Sequence, residues 1–179
     1  MGAIHFDDVE TSFGKVTFVW KGELEPRVVR VLLPNQLGTM SSLFPNAARS
    51  RNGEVSRLLE AISEFLAGEM IRLPLDLLDL DSCSRFQREV ILAEYEVPRG
   101  FVTTYGRIAR HLGAPHSSRA VGRALATNPF PIVIPCHRAV RSGGDLGGYQ
   151  GGAEMKGRLL EMEGVPVVGG RASMSRVFY

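Results

Sequence analysis

The heptapeptide IPCHRAV at residues 134–140 places a thiol, an imidazole and a guanidinium in consecutive positions behind a proline. Thiolate is the nucleophilic form of cysteine, and a thiol with an ordinary pKa of about 8.5 is mostly protonated at neutral pH. His137 is a base that can activate Cys136 if the chain turns here or a water bridges them, because neighbours in an extended strand point to opposite faces. The carboxylates that follow, and that could orient the histidine, are Asp145, Glu154, Glu161 and Glu163.

Two other interpretations of Cys136 have to be weighed. Cysteine is among the most buried residue types, so an inert buried thiol beside a histidine would be an ordinary finding. A metal site is not predicted, because the two cysteines and four histidines show neither CxxC nor HExxH spacing. The residues by themselves therefore leave a nucleophile and an inert thiol as open alternatives.

The segment before the thiol is expected to hold it rigidly. The apolar run 132–134 predicts a short buried strand, and Pro135 has no N–H with which to continue a ladder, so the strand should end there. Cys136 would then lie at a strand end, a common place for a working residue. Pro135 would form the floor beneath it.

The second half of the chain is predicted to contain several short helices. Ser84 with Gln87 three residues later predicts a capping box, and the helix that it opens must end before Pro98. Thr104 predicts the cap of a short helix through Leu112. A turn rich in small residues follows, so that two helices joined by a short turn are expected here, as in a helix-turn-helix.

The second of these two helices, capped by Ser117 or Ser118 and ending at Asn128, is predicted to be two-sided. Its apolar side should face the core. Its outward side combines arginines with very small residues: Arg119, Gly122, Arg123 and Ala126. Residues 99–141 contain seven arginines and no carboxylate, which is typical of a surface for a polyanion such as DNA. A solvated face balanced by the acidic first half is the alternative.

Composition places the chain among globular proteins, with 44% hydrophobic and 22% charged residues in 179. No apolar run approaches the roughly 20 residues of a membrane span, and the acidic N-terminus does not resemble a signal peptide. Two distant cysteines favour the reducing cytoplasm. Periodicity predicts strands at 16–20 and 28–33, a loop at 35–52 and a helix at 54–67.

Eight segments of the second half occur in an informative order: FQREV (86–90), VPRG (97–100), TYGRIA (104–109), RAVG (119–122), NP (128–129), IPCHR (134–138), GYQGG (148–152) and KGRLLEMEG (156–164). In this order and spacing they resemble the O6-alkylguanine-DNA alkyltransferase family, also called methylated-DNA–protein-cysteine methyltransferases. The resemblance covers a little under half of the chain.

The resemblance implies direct repair of double-stranded DNA. Members flip O6-alkylguanine out of the duplex and move the alkyl group irreversibly to their own cysteine, once per molecule and without a cofactor or metal. O4-alkylthymine is left open as a second substrate. The implied fold class is α/β (α+β): a small sheet-plus-helix domain at 1–80, a mostly helical domain with the helix-turn-helix and the cysteine at 81–170, and a tail at 171–179. A monomer is expected from the single-site chemistry.

Carried over position by position, the resemblance makes Cys136 the acceptor and His137 the base that deprotonates it through a water. Glu163 is then the carboxylate that orients the histidine. Asn128 holds the turn between the recognition helix and the site. Tyr105 crowds the phosphate of the flipped nucleotide and donates a proton to the leaving guanine. Arg138 receives no catalytic role and is expected simply to pair with a nearby carboxylate.

The same resemblance assigns the DNA-binding surface and the pocket. Arg119 is the finger that fills the gap in the base stack, and Arg123, Ala120 and Gly122 accompany it on the helix. Tyr149 is a wall of the guanine pocket. Pro135 and Gln150 belong to the same pocket, and the long Gln150 side chain stands where a small residue is usual, which would narrow the range of alkyl groups.

Three other functions compete with this interpretation. Alkyltransferase-like proteins bind the lesion but lack the acceptor cysteine, whereas Cys136 is present. A cysteine hydrolase with a Cys-His-Glu triad would turn over repeatedly and has no need of a basic helix-turn-helix. A transcriptional helix-turn-helix protein with an incidental cysteine would bind DNA without forming an alkylated product.

Overall fold

The computed structural model describes residues 3–179 and divides into two compact units. The first unit runs to Ser82 and includes Pro129–Val133, and the second comprises Cys83–Asn128 and Ile134–Tyr179. Met1 and Gly2, where the predicted first domain begins, lie outside the described residues. The domain limits at 80 and 170 stay predictions. In the part of the chain that is described, no helix is both long and apolar enough to cross a bilayer.

The first unit is built on a four-stranded sheet in the order β3-β2-β1-β4. Its elements are β1 (Ile4–Thr11), β2 (Gly14–Lys21), β3 (Arg27–Leu32), a 3₁₀ helix (Pro34–Thr39), α1 (Met40–Leu43), β4 (Ala48–Arg49), α2 (Gly53–Leu66) and a second 3₁₀ helix (Leu80–Ser82). β1–β2 and β2–β3 pair antiparallel, and β4 pairs parallel with β1. The two predicted strands are confirmed as β2 and β3.

Two features of this unit differ from the sequence prediction. β1 was not predicted, because its sequence IHFDDVET does not alternate cleanly. Its acidic residues Asp7 and Asp8 both form ion pairs with Arg49 of β4. The predicted loop at 35–52 is also wrong in part, since it contains α1 and β4; these elements bury none of their residues, so no periodicity marks them.

The helix predicted at 54–67 is confirmed as α2. Asn52 caps it, because its side-chain oxygen accepts from the backbone N–H of Glu54 at 2.9 Å. Its apolar face is buried through Val55, Leu58, Leu59, Ile62, Phe65 and Leu66. This stripe completes the core of the sheet.

The second unit is mostly helical and contains the candidate site. Its elements are α3 (Arg85–Tyr95), β5 (Thr103–Thr104), α4 (Tyr105–His111), α5 (Ser118–Ala126), a 3₁₀ helix (Cys136–Arg138), β6 (Ala139–Val140), α6 (Gly152–Met162), β7 (Val167–Val168) and β8 (Arg171–Ala172). β5 pairs parallel with β6, and β7 pairs antiparallel with β8. A core cluster comprises Val102, Val140, Leu146, Leu160, Val165 and Ala172.

The capping of α3 follows only half of the prediction. The Ser84 hydroxyl accepts from the Gln87 N–H at 3.3 Å, as expected of an N-cap. The Gln87 side chain does not return to Ser84. It donates instead to the carbonyls of Ala124 and Thr127, each at 3.2 Å, so Gln87 joins α3 to the end of α5.

The helix-turn-helix is formed by α4 and α5. The predicted cap of α4 is confirmed, because the Thr104 hydroxyl accepts from the N–H of Arg107. Ser117 precedes α5 at the capping position, but its side chain makes no capping hydrogen bond, so that prediction is wrong in detail. The N-terminus of α5 therefore lacks a cap from the Ser117 side chain.

The predicted strand at 132–134 is wrong. Ile132 has a left-handed backbone, with φ of 73°, and the segment 131–134 forms a tight turn instead. The chain turns again at the thiol, where Cys136 N–H donates to the Ile134 carbonyl and Arg138 N–H donates to the Pro135 carbonyl, both at 2.8 Å. Cys136 therefore begins a 3₁₀ helix and is not at a strand end.

Candidate active site

The outward face of α5 has the composition that its helical wheel predicts. Val121, Ala124 and Leu125 are buried. Arg119 and Arg123 are exposed on the opposite side. Ala120 and Gly122 are half-buried between these two faces. The outward face of the helix thus presents two guanidinium groups next to residues with very small side chains.

A cavity of about 200 Å³ lies behind this helix, with Cys136 in its wall. It is lined by Tyr105, Gly122, Leu125, Ala126, Cys136, Arg141, Gly148, Tyr149 and Gln150. The side chains of α5 that line the cavity include the very small Gly122 and Ala126, which take little space at its opening. Tyr149 supplies a flat aromatic wall. A cavity of this size and lining suits a planar group of the size of a nucleobase.

The Cys136 thiol is only 5% exposed. Asn128, which follows α5, is fully buried, and its Nδ2 donates to the Cys136 Sγ at 3.3 Å and to the Ile134 carbonyl at 3.4 Å. Burial raises the pKa of Cys136 to about 11, although the Asn128 hydrogen bond works against that rise. The resting group is therefore a thiol that needs a base.

The next residue along the chain is a histidine, whose ring is held by a hydrogen bond. His137 is fully buried, and its Nε2 lies 2.9 Å from the Glu163 Oε1. Arg138 makes two further bonds to the same carboxylate, from Nε to Oε2 and from Nη2 to Oε1, both at 2.8 Å. Its third contact is to the Val97 carbonyl, at 2.6 Å. Glu163 is thus shared by a histidine and an arginine.

The charges of this group follow from these contacts. Burial alone would raise the pKa of Glu163, but its hydrogen bonds to His137 and Arg138, the charge of Arg138 and, in acid, the charge of the protonated His137 outweigh burial and hold it at about 2. Burial lowers the pKa of His137, and Glu163 offsets this only in part. A neutral imidazole that donates from Nε2 keeps a lone pair on Nδ1. That Nδ1 is buried and has no hydrogen-bond partner within residues 3–179.

Tyr105 borders the cavity from the N-terminus of α4. Burial raises the pKa of its phenol, and the charges of Glu94 and Cys136 raise it further, so it stays a protonated donor at neutral pH. Gly147, with φ of 67°, allows a close approach: a Cβ there would lie 3.0 Å from the Tyr105 hydroxyl oxygen. The absence of a side chain at Gly147 therefore leaves room for the Tyr105 hydroxyl in its present position.

The remaining predicted pocket residues lie around the thiol. Tyr149 meets the His137 ring edge to face, with centroids 6.3 Å apart. Gln150 donates from Nε2 to the Asn128 carbonyl at 2.7 Å, which holds its side chain against the cavity. Pro135 is buried and precedes the 3₁₀ helix.

Sequence reasoning missed three charged residues of this site. Arg138 received no catalytic role; its expected pairing with a carboxylate is confirmed, and the partner is Glu163, which it binds in two places. Glu94 and Lys156 are both fully buried, and neither was assigned a function. The sequence did contain an indication for Glu94. It comes four residues after Val90 and three after Ile91, so its carboxylate falls on the apolar stripe of α3. Across the described residues, no group of three or more His, Cys, Asp or Glu could hold a metal.

Comparison with known sequences gives a consistent result. Residues 85–165 match the family model described as the DNA-binding domain of 6-O-methylguanine DNA methyltransferase. A methylated-DNA–protein-cysteine methyltransferase of Methanothermobacter thermautotrophicus is 46% identical over 115 residues, which is 64% of this chain and 64% of that relative. The protein of the same description from Mycobacterium tuberculosis H37Rv is 32% identical over 160 residues, 89% of this chain and 92% of the relative.

Solved structures agree with the sequence relatives. The crystal structure of the Mycobacterium tuberculosis O6-methylguanine methyltransferase superposes with a TM-score of 0.76 at 30% identity, over 89% of this chain and 92% of that one. The Mycobacterium tuberculosis OGT structure in complex with DNA gives a TM-score of 0.71, at the same identity and coverage. The α/β fold class predicted from the sequence is confirmed by these matches.

Proposed function

Because the chain belongs to the methylated-DNA–protein-cysteine methyltransferase family, we propose that it repairs O6-alkylguanine in double-stranded DNA by moving the alkyl group to Cys136. The observation that carries the proposal is the position of this thiol. It lies in the wall of a nucleobase-sized cavity, directly behind an arginine-bearing helix and beside an oriented neutral histidine. O4-alkylthymine remains a second candidate substrate.

The first step of the proposed reaction is removal of the thiol proton. With a pKa of about 11, Cys136 cannot supply much thiolate at neutral pH by itself. The His137 Nδ1 lone pair takes the proton, through a water in the arrangement that the family resemblance implies. Glu163 then lies against an imidazolium cation, whose charge it stabilises as the carboxylate of a triad does.

The second step is an in-line displacement at the alkyl carbon. The Cys136 Sγ forms the new S–C bond while the bond from O6 to that carbon breaks, and the electron pair stays on guanine. The Tyr105 hydroxyl provides the leaving base with a proton, and the proton taken up by His137 restores the phenol. The net change is one alkyl group gained and one proton lost by the cysteine, with no cofactor in the balance.

DNA binding is proposed to depend on the outward face of α5. Arg119 fills the gap that a flipped nucleotide leaves in the stack, and this contact offsets part of the few kcal/mol that flipping costs. Arg123 contacts the backbone, while Gly122 and Ala120 let the helix approach closely. The relative crystallised in complex with DNA supports DNA as the partner.

The cellular setting is proposed on the same chemistry. A reactive thiol consumed in one reaction needs a reducing compartment and access to DNA, so we place the protein in the cytoplasm with access to the nucleoid or nuclear DNA. One site completes the reaction alone, and a monomer suffices.

The test is to incubate the full chain with duplex DNA containing O6-methylguanine and to measure the mass of the peptide carrying Cys136. We expect a gain of one methyl group, at most once per molecule. Cys136→Ala should bind the same DNA without gaining mass. Repeated turnover on an ester or amide substrate would favour a cysteine hydrolase instead. An unmodified peptide from folded protein would refute the proposal.

A further inference from the structure

Two of the seven arginines in residues 99–141 have no partner in the fold and no role in the proposed reaction. Three of the seven bind carbonyl oxygens or a carboxylate of the protein: Arg99, Arg107 and Arg138. Two more project from the outward face of α5. The remaining pair, Arg110 and Arg141, is exposed, and neither side chain forms a hydrogen bond or ion pair within residues 3–179.

Arg110 and Arg141 line the same cleft, which has a volume of about 530 Å³. Its walls come from α4, from the first residue of α5 and from the segment after β6. Three arginines and the hydroxyl-bearing Ser118 and Ser142 contribute to the lining, and none of the described residues that line it is a carboxylate. Such a lining is suited to an anion, and the volume leaves room for a sugar-phosphate segment.

Two glycines show where the guanidinium groups lie. A Cβ on Gly106 would be 3.8 Å from the Arg110 Nη1, so the Arg110 side chain folds back along α4 towards its first turn. A Cβ on Gly147 would be 3.7 Å from the Arg141 Nε and 3.0 Å from the Tyr105 hydroxyl oxygen. The Arg141 guanidinium and the Tyr105 hydroxyl are therefore neighbours around the space that Gly147 leaves.

The cleft adjoins the nucleobase-sized cavity that contains Cys136. Tyr105 and Arg141 line both spaces, so these two side chains form the boundary between them. In a nucleotide, a single sugar joins the base to its phosphates. A base that enters the cavity therefore brings the phosphates of its own strand next to the cleft.

We propose that the cleft binds backbone phosphates of the DNA strand from which the base is flipped, with Arg110 and Arg141 as the contacting residues. A planar guanidinium group can donate two parallel hydrogen bonds to one phosphate. The inference rests on the proposed function, since it names further contacts to the same DNA. It adds nothing to the chemistry at the thiol, because phosphate contacts set the position of the duplex and carry no sequence information.

The experiment measures how binding of duplex DNA containing O6-methylguanine depends on salt concentration. Every protein compared carries Cys136→Ala, so that the lesion is not consumed, and Arg110→Gln and Arg141→Gln are added singly and together. The slope of log K against log salt should become shallower by about 0.9 for each arginine removed, because each phosphate contact releases counterions. Affinity at low salt should fall about tenfold per arginine, the loss typical of a hydrogen bond to a charged group.

Control variants separate a phosphate contact from a change in net charge. Arg158→Gln removes an exposed arginine of α6 that does not line the cleft, and it should leave the slope unchanged. Arg110→Lys and Arg141→Lys keep the charge but lose the planar fork, so they should keep the slope while binding somewhat less tightly. An unchanged slope in the double glutamine variant would overturn the inference. So would an equal change of slope in Arg158→Gln.

Inorganic phosphate distinguishes a DNA strand from a small anion as the occupant of the cleft. A single phosphate ion fills little of this volume, so calorimetric titration of the parent with millimolar phosphate should detect no binding. Phosphate binding that the double variant loses, together with an unchanged slope for DNA, would assign the cleft to the free ion and overturn the DNA contact.

The salt dependence is measured without alkyl transfer, so the two proposals can fail separately. If the parent leaves O6-methylguanine DNA unrepaired, the proposed function fails even where Arg110 and Arg141 determine the slope. If the parent is methylated on Cys136 but the slope is the same in the double variant, only the phosphate contact is refuted.

Discussion

The side-chain amide of Asn128 donates a hydrogen bond to the Sγ of Cys136 across 3.3 Å, directly linking the end of the helix-turn-helix to the thiol. Both residues are buried, so the bond is made where water cannot replace it. The residue that follows α5 is thereby connected directly to the thiol. The same amide also holds the Ile134 carbonyl, which precedes the 3₁₀ helix.

Replacing Asn128 with alanine should therefore raise the pKa of Cys136 further, because a hydrogen bond that favours the thiolate is lost. We expect about tenfold slower alkylation of Cys136 by iodoacetamide at pH 8, the loss typical of a bond to a charged group. The exposed Asn46→Ala serves as control. Unchanged thiol reactivity in folded Asn128→Ala would show that the bond does not tune the thiol.

Glu163→Gln should destabilise the protein strongly, because Arg138 is left buried without its counter-charge. Breaking such a pair typically costs about 3–5 kcal/mol. Equilibrium urea unfolding at pH 7 measures this loss, and Glu161→Gln, exposed two residues earlier, should lie within about 0.5 kcal/mol of the parent. A Glu163→Gln variant as stable as its control would contradict the electrostatic role given to the carboxylate.

The same carboxylate predicts how stability changes in acid. The pKa of Glu163 is about 2 in the fold and 4.5 ordinarily, so its contribution is fully present above pH 4.5 and is lost as the pH falls towards 2. The difference in unfolding free energy between parent and Glu163→Gln should thus shrink across that interval. A difference that is constant from pH 5 to pH 3 would contradict this sign.

Gly147→Ala should slow alkyl transfer while leaving thiol reactivity intact. The new Cβ would press on the Tyr105 hydroxyl from 3.0 Å, and a misplaced donor is expected to cost about tenfold or more in rate. Gly169→Ala is the matched control, since its φ of 57° is equally left-handed but a Cβ there meets nothing within 4 Å. Equal transfer rates for both variants would mean that backbone strain alone explains the effect.

Arg119→Ala should impair repair of duplex DNA but not the chemistry at the thiol. We expect about tenfold or more slower methyl transfer from duplex DNA, and an unchanged rate with an O6-alkylguanine base offered alone, which needs no flipping. Arg158→Ala, exposed on α6, is the control. An equal loss of rate with both substrates would contradict the role of Arg119 in flipping. Binding of duplex DNA by the parent and by both variants should weaken as the salt concentration rises, because contacts to phosphates release counterions.

Much of this protein follows from local sequence. The order of eight short motifs predicted the family, which the relatives confirm, and with it the thiol and its histidine. Apolar residues with a period of 3.6 predicted α2 and the two faces of α5. This works because the buried residues of an amphipathic helix recur every three or four positions along the sequence. The roles of Tyr105 and Arg119 in the reaction stay predictions.

Other features depend on residues that meet only in the folded chain. The residues alone offered four carboxylates for His137, and packing brings Glu163 to it together with Arg138, whose role no local pattern indicates. Burial, a property of the whole unit, raises the pKa of Cys136 and keeps a proton on Glu94. Sequence therefore determined which groups are present, and tertiary structure decided their partners and charges, because desolvation and long-range contacts have no local pattern.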